Sequence, residues 1–227
     1  MTAALVLTVL LAAAAFGLQR LLRAARQARG AEWGVAWVNR LDGLNRLFCR
    51  RYHRLQAEPL ALPATGPAIV VANHLSGLDP LLLLASSPRP LRFLIATEEY
   101  RRPLLNRLFR AAGCIPVDRG GRPERAFRAA LRALRDGEVI ALFPEGAVHG
   151  PDNPARALRP GVARLARLAR CPVVPARVSG VRRPGRVFPA LVLRGAARLE
   201  AGAPFRCEGV DTEHCLEEVA AAIGTAG

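Results

Sequence analysis

The stretch "VANHLSGLDPLLLL", residues 71–84, joins a strand pattern to a helix pattern through one short turn. On its amino side, "AIVVAN" (68–73) is a continuous apolar run, the mark of a strand buried on both faces. On its carboxyl side, Asp79-Pro80 reads as a helix start, with Asp79 capping the orphan amides and proline tolerated at the first helical position. Sites in α/β sheets are built where a strand ends in this way. His74 stands there, one of four histidines in 227 residues, with Asp79 five residues on. Capping alone explains Asp79 and leaves His74 unexplained. The Ser76-Gly77 turn allows Asp79 to fold back onto the imidazole. A carboxylate on one ring nitrogen fixes the tautomer and leaves the other nitrogen as a base near neutral pH.

The same alternation continues outward. Strand patterns follow in "LRFLIAT" (91–97), "CIPVD" (114–118), "VIALFPE" (139–145), "PVVPARV" (172–178) and "ALVLRG" (190–195). Helical patterns lie between them at 80–86, 100–112, 122–136 and 156–170, and a last one covers 211–223. Strands alternating with helices predict an α/β fold, a mixed and largely parallel sheet flanked by helices.

The beginning of the chain is different. Residues 1–18 carry no charged side chain, and as a helix they are about 27 Å long, against a hydrocarbon core of about 30 Å. Arg20, Arg23, Arg26 and Arg29 follow, which orients the remainder toward the cytoplasm under the positive-inside rule. A cleaved signal peptide is the rival reading, but its positive start is missing. Residues 31–55 repeat apolar positions at three and four with arginines between, and Trp33, Trp37 and Phe48 fall on the apolar side. Residues 1–56 hold nine arginines against Glu32 and Asp42. The expected division is an N-terminal anchor with a basic amphipathic helix over 1–56, then an α/β domain over 57–227. An anionic membrane surface is the expected partner of the first part, at the cell membrane. A helix packed on the domain with a solvated basic face is the alternative.

The formal charge is +15 and all 33 cations are arginine. Such a balance points to anionic partners. With 5% aromatics and none interleaved with basic residues, the pattern of a single-strand nucleic-acid reader is missing. The five cysteines contain no CxxC pair, so neither a zinc knuckle nor a disulfide framework is expected; reduced, buried thiols are. Nor does any GxSxG motif or HExxH signature occur, so neither a serine nucleophile nor a catalytic metal is expected. A His-Asp pair without a protein nucleophile suits direct attack by a substrate hydroxyl, deprotonated in place.

Four ordered stretches carry a resemblance. "NHLSGLDP" (73–80), "GCIPVDR" (113–119), "FPEGAVHG" (143–150) and "CPVVPARVSG" (171–180) resemble the four blocks of the glycerolipid acyltransferases, the family of bacterial 1-acylglycerol-3-phosphate acyltransferases. The resemblance covers roughly residues 60–200. It implies His74 as general base and Asp79 as its orienting carboxylate. It further implies acceptor contacts from Arg119, Pro144, Glu145 and Gly146, with Asn73 and Ser76 in the surrounding turn. Glu145 is expected to hold Arg119 or the glycerol. The implied reaction moves a fatty acyl group from acyl-CoA or acyl carrier protein, a co-substrate rather than a cofactor, to the hydroxyl of a lysophospholipid, most simply 1-acylglycerol-3-phosphate.

One block departs from the family pattern. Ala147 and Val148 stand where a hydroxyl and a cation usually follow FPEG, which puts the phosphate-bearing acceptor in question. His149 reads as a solvent-facing loop residue, with a substitute polar contact at the acceptor as the alternative. Val173, Val174 and Pro175 read as a core strand, with lining of the acyl or acceptor channel as the alternative. Arg164, Arg167 and Arg170 read as a solvated helix face, with docking of coenzyme A phosphates or an acidic acyl carrier protein as the alternative. The alternatives are the same chemistry on a lyso-ornithine lipid or glycolipid, a thioesterase using the same base on water, and a non-catalytic membrane-binding protein.

Overall fold

The computed structural model describes residues 2–121, 123–152 and 157–224. The chain opens with α1 (Thr2–Ala28) and α2 (Ala36–Leu47), the latter prolonged by a π-helical turn over Phe48–Tyr52. Then come β1 (Gln56–Ala57), β2 (Ala68–Ala72), α3 (Asp79–Ser86), β3 (Leu91–Ala96), α4 (Thr97–Tyr100), α5 (Pro103–Ala111) and β4 (Ile115–Val117). The remainder is α6 (Pro123–Arg135), β5 (Val139–Leu142), α7 (Gly161–Ala169), β6 (Val173–Ser179), α8 (Val187–Val192), β7 (Arg198–Ala201) and α9 (Thr212–Ile223).

The seven strands make one sheet in the order β1-β7-β6-β2-β5-β3-β4. β6 and β7 are antiparallel and every other pairing is parallel. β2 lies between β6 and β5 and every residue in it is buried, as its unbroken apolar run requires. Its pleat divides the core in two. Ala68, Val70 and Ala72 face a layer with Leu82 and Leu83 of α3, Cys49 and Ala190 of α8. Ile69 and Val71 face the other layer, with Ala130 and Leu134 of α6, Val162 and Leu165 of α7, and Val219 of α9.

The N-terminal region is bound to the first layer. Near α1's end, the Ala25 carbonyl lies where a side chain at Gly43 of α2 would stand, so the two helices meet backbone to backbone. Arg46 of α2 is buried and pairs with buried Asp42 at 2.9 Å. Its guanidinium also donates to the carbonyls of Ala85 (2.8 Å) and Ser87 (2.5 Å) at the end of α3. Phe48 packs against the same core layer. The amphipathic segment is therefore a shorter helix than 31–55 and is latched to the α/β layer through its polar side. α1 runs ten residues past the uncharged stretch and is long and apolar enough to cross a membrane, with a mean hydropathy of 2.0.

Three further expectations are corrected. The segment 190–195 is no strand: Val187–Val192 is helical, and the edge beside β6 is taken instead by Arg198–Ala201. A short apolar run is ambiguous between the two states, and Pro189 has no N–H for a ladder. The helix expected over 156–170 occupies Gly161–Ala169, and Arg156 lies outside the described residues. Finally, not all thiols are free. Cys207 and Cys215 form a disulfide with Cα atoms 5.4 Å apart, while Cys49, Cys114 and Cys171 are buried free thiols. Cys207 in the loop after β7 and Cys215 of α9 both lie in the second layer, and a spacing of eight has no local signature.

Candidate active site

β2 ends at Ala72 and the chain turns at once. Asn73 bridges to β6: its amide nitrogen donates to the Val178 carbonyl (2.9 Å) and its oxygen accepts from the Val178 N–H (2.7 Å). The side chain thus mimics one more peptide of ladder and fixes where His74 leaves the sheet. The main chain of His74 is held from the opposite side. Its N–H donates to Glu145 Oε2 at 2.9 Å, and its carbonyl accepts from the His149 N–H at 2.8 Å.

The His74 imidazole lies flat on the Phe143 ring, centroids 4.0 Å apart and planes within 11°. Phe143 itself stacks on Phe93. Asp79 is fully buried as the first residue of α3, and it does not cap that helix. Its carboxylate points backward. Oδ2 accepts from the N–H groups of Leu75 (2.6 Å) and Ser76 (2.7 Å) and lies 2.9 Å from His74 Nδ1. Oδ1 accepts from Ser76 Oγ at 2.8 Å. Four donors around one carboxylate offset the cost of burying its charge without any cation. Because Oδ2 only accepts, the proton of a neutral imidazole sits on Nδ1 and leaves the Nε2 lone pair free. The His74 side chain is partly exposed, 17% against none for Asp79.

The remaining candidates divide. Ser76 is wholly buried, donating to Asp79 and accepting from the Leu78 N–H; it braces the turn and offers a substrate nothing. Asn73, with both amide ends on Val178, is likewise a brace. Pro144 is buried and its carbonyl accepts from the Arg159 N–H. Gly146 has a φ of +77°, and a side chain there would meet Arg159 Nε at 2.6 Å. The Arg159 guanidinium therefore lies against the FPEG turn, a cation beside positions 147 and 148, which carry none. Sequence spacing alone offered no signal for it.

Glu145 does not hold Arg119. It is buried, with Oε2 on the His74 N–H and 2.9 Å from His149 Nδ1, and with Oε1 enclosed without a hydrogen-bond partner among the described residues. Burial pushes the Glu145 carboxyl above its ordinary range, and the neighbouring His149 opposes that. His149 is thus a site residue, contrary to its expected solvent-facing place. Its side chain is only 16% exposed.

Arg119 is exposed, in a turn where Asp118 Oδ1 accepts from the N–H groups of Gly120 and Gly121. β2, β5, β3 and β4 are neighbours and parallel, so His74 and Arg119 share the carboxyl edge of the sheet. Three strand spacings separate them, about 14 Å. Val173, Val174 and Pro175 pair with Ile69, Val70 and Val71 inside the sheet, away from that edge. His53 is buried between Phe48 and Tyr52, and its burial lowers its pKa; it belongs to the core. Burial likewise pushes the thiols up, Cys49 to about 12 and Cys114 and Cys171 to about 11, so none is a nucleophile. Among the described residues no cluster of His, Cys, Asp or Glu suits a metal ion.

A histidine held on a buried carboxylate at the carboxyl edge of the sheet is an arrangement suited to taking a proton from a hydroxyl or an amine. Residues 53–179 match the Acyltransferase family, more than half of the chain, and the protein belongs to that family. It is 39% identical over 123 residues to the N-acylphosphatidylethanolamine synthase of Arabidopsis thaliana, covering 50% of this chain and 43% of that protein. It is 32% identical over 121 residues to a probable 1-acyl-sn-glycerol-3-phosphate acyltransferase of Mycoplasma genitalium, covering 50% of this chain and 44% of that one. The chain thus spans less than half the length of these two relatives. In fold it is similar to the crystal structure of the 1-acyl-sn-glycerophosphate acyltransferase PlsC from Thermotoga maritima. That likeness has a TM-score of 0.63 and 21% identity over 82% of this chain and 78% of that one.

Proposed function

We propose that this protein transfers a fatty acyl group from an acyl thioester, acyl-CoA or acyl carrier protein, to the free hydroxyl of a lysophospholipid at the membrane. The observation that carries the reading is the contact of His74 Nδ1 with buried Asp79 on a partly exposed imidazole, which leaves Nε2 to act as the base. The acceptor oxygen attacks the thioester carbonyl while Nε2 takes its proton. The tetrahedral intermediate collapses and expels the thiolate, which leaves as thiol with the proton from the imidazolium. Asp79 steadies that imidazolium, and the Phe143 ring holds its plane. Arg119 and Arg159 are the cations offered to an acceptor phosphate. α1 keeps the chain where such an acceptor is dissolved.

A second reading has its own support. The Arabidopsis relative is by its name a synthase of an N-acylated aminophospholipid, and the turn after FPEG lacks the usual hydroxyl. On this reading His74 deprotonates an attacking headgroup amine and the donor chemistry is unchanged. Oleoyl-coenzyme A offered in turn with 1-acylglycerol-3-phosphate, lysophosphatidylethanolamine and phosphatidylethanolamine separates the two. An ester product with the lyso acceptors supports the first reading; an amide product with intact phosphatidylethanolamine replaces it. Thiol release at the same rate without any acceptor refutes both.

A further inference from the structure

Residues 181–195 do not belong to the His74 site, yet they form its rim. The Gly185 N–H donates to the Leu75 carbonyl at 2.8 Å. A side chain at Gly77 would come within 2.7 Å of the Val187 carbonyl, and one at Gly150 within 2.6 Å of the Pro184 carbonyl. The segment therefore lies backbone to backbone on both the His74–Asp79 turn and the turn after FPEG. From there α8 is pinned by Ala190, fully buried in the first core layer, and by Tyr52, whose hydroxyl donates to the Val192 carbonyl at 2.6 Å.

Its outer side is unlike an ordinary surface. Phe188 is 64% exposed and Val192 68%, with Val187 and Leu193 also open. Arg182, Arg183, Arg186 and Arg194 are all exposed around them, and residues 180–199 contain no Asp or Glu. Arg182 and Arg194 join Arg54 in lining a shallow depression of about 320 Å³. Proud apolar side chains ringed by guanidinium groups match the boundary between acyl chains and anionic headgroups. α8 also covers the same face of the sheet as the α2 latch, while α6, α7 and α9 cover the other.

We propose that residues 182–194 are a second lipid-docking element, seated on an anionic bilayer. Phe188 and Val192 enter the acyl-chain boundary, and the arginines pair with lipid phosphates, Arg54, Arg182 and Arg194 holding one between them. The rim of the His74 site then rests on the bilayer, and an acceptor passes from it to Nε2 without crossing water. The inference rests on the proposed lipid acceptor for its purpose, but its test does not.

The test places an environment-sensitive fluorophore on Phe188→Cys in the full chain, reconstituted into phosphatidylcholine vesicles with or without phosphatidylglycerol. Unmutated protein, whose free thiols are buried, is the labelling blank, and Arg128→Cys on exposed α6 is the control. The expected result is a blue shift and quenching by spin-labelled lipid at 188, deepened by phosphatidylglycerol and absent at 128. A label at 188 as wet and as unquenched as that at 128 overturns the proposal. So does a shift produced by acyl carrier protein, or by raising protein concentration, without lipid quenching. In a second arm, Arg182, Arg183, Arg186 and Arg194 become Ser. The KM for bilayer-presented acceptor is expected to rise about tenfold, each arginine near an anionic surface strengthening binding by about fivefold at most. kcat on a short-chain, water-soluble acceptor stays unchanged. Equal losses on both acceptors contradict docking. A parent protein that transfers no acyl group to any acceptor while the label at 188 is still quenched by lipid refutes the proposed function and leaves the docking element standing.

Discussion

Asp79→Asn separates the charge of the carboxylate from its geometry. An asparagine placed with its oxygen at the Oδ2 position still accepts from Leu75 N–H, Ser76 N–H and His74 Nδ1–H. Its amide nitrogen then faces Ser76 Oγ, which can turn to accept. The tautomer and the turn survive, and the negative charge is lost. Three charge-assisted bonds become neutral ones, a cost of about 3 kcal/mol in stability. The larger effect falls on the transition state, where the imidazole carries positive charge. Two unit charges about 4 Å apart at an effective dielectric of about 20 interact by about 4 kcal/mol, or roughly a thousandfold in rate. Following thiol release and lipid product together is the assay, with thermal unfolding in the same detergent as the control for folding. A variant that unfolds cooperatively and turns over within tenfold of the parent would refute the role given to this carboxylate.

Other outcomes follow from single contacts. Glu145 has its pKa raised by burial. Its protonated form is therefore favoured by folding, and that stability is present below the ordinary glutamate range of about 4.3 and lost as pH rises through the raised value. Glu145→Gln keeps an acceptor for the His74 N–H and should flatten that fall; urea midpoints between pH 4 and 8 that decline as steeply as the parent's would contradict the sign. Arg46→Met leaves buried Asp42 and the Ala85 and Ser87 carbonyls without their partner and should cost about 3–5 kcal/mol; a loss below about 1 kcal/mol by denaturant titration would remove the latch from the account. Reducing the Cys207–Cys215 bridge, which closes a loop of sequence separation 8, should cost about 2.5 kcal/mol on the chain-entropy estimate, and an unchanged midpoint in dithiothreitol would show that it contributes little.

What was legible in the sequence was local. The unbroken apolar run of β2, the turn residues after it and Asp79-Pro80 specify strand, turn and helix within the nineteen residues 68–86, and β5 shows the same apolar texture. The contacts that complete the site join residues far apart in sequence. Asn73 reaches across 105 positions to Val178 and His74 across 71 to Glu145, and nothing in the spacing of either signals the partner. Without that contact His149 read as a solvated loop residue, and without the close approach at Gly146 the Arg159 guanidinium had no visible role. The strand pattern at 190–195 misleads because its first four residues are all apolar, while the exposed side of α8 shows only once β7 has taken the edge of the sheet.

The central claim is that His74 takes a proton directly from the acyl acceptor. Its most direct test is acyl transfer from oleoyl-coenzyme A to 1-acylglycerol-3-phosphate in micelles, with free thiol and acylated lipid followed together for the parent and for His74→Ala. The account predicts one lipid product per thiol released by the parent. It also predicts a loss of at least about a thousandfold in the variant, within the range that a positioned general base supplies. A His74→Ala protein that still forms lipid product within tenfold of the parent would contradict it.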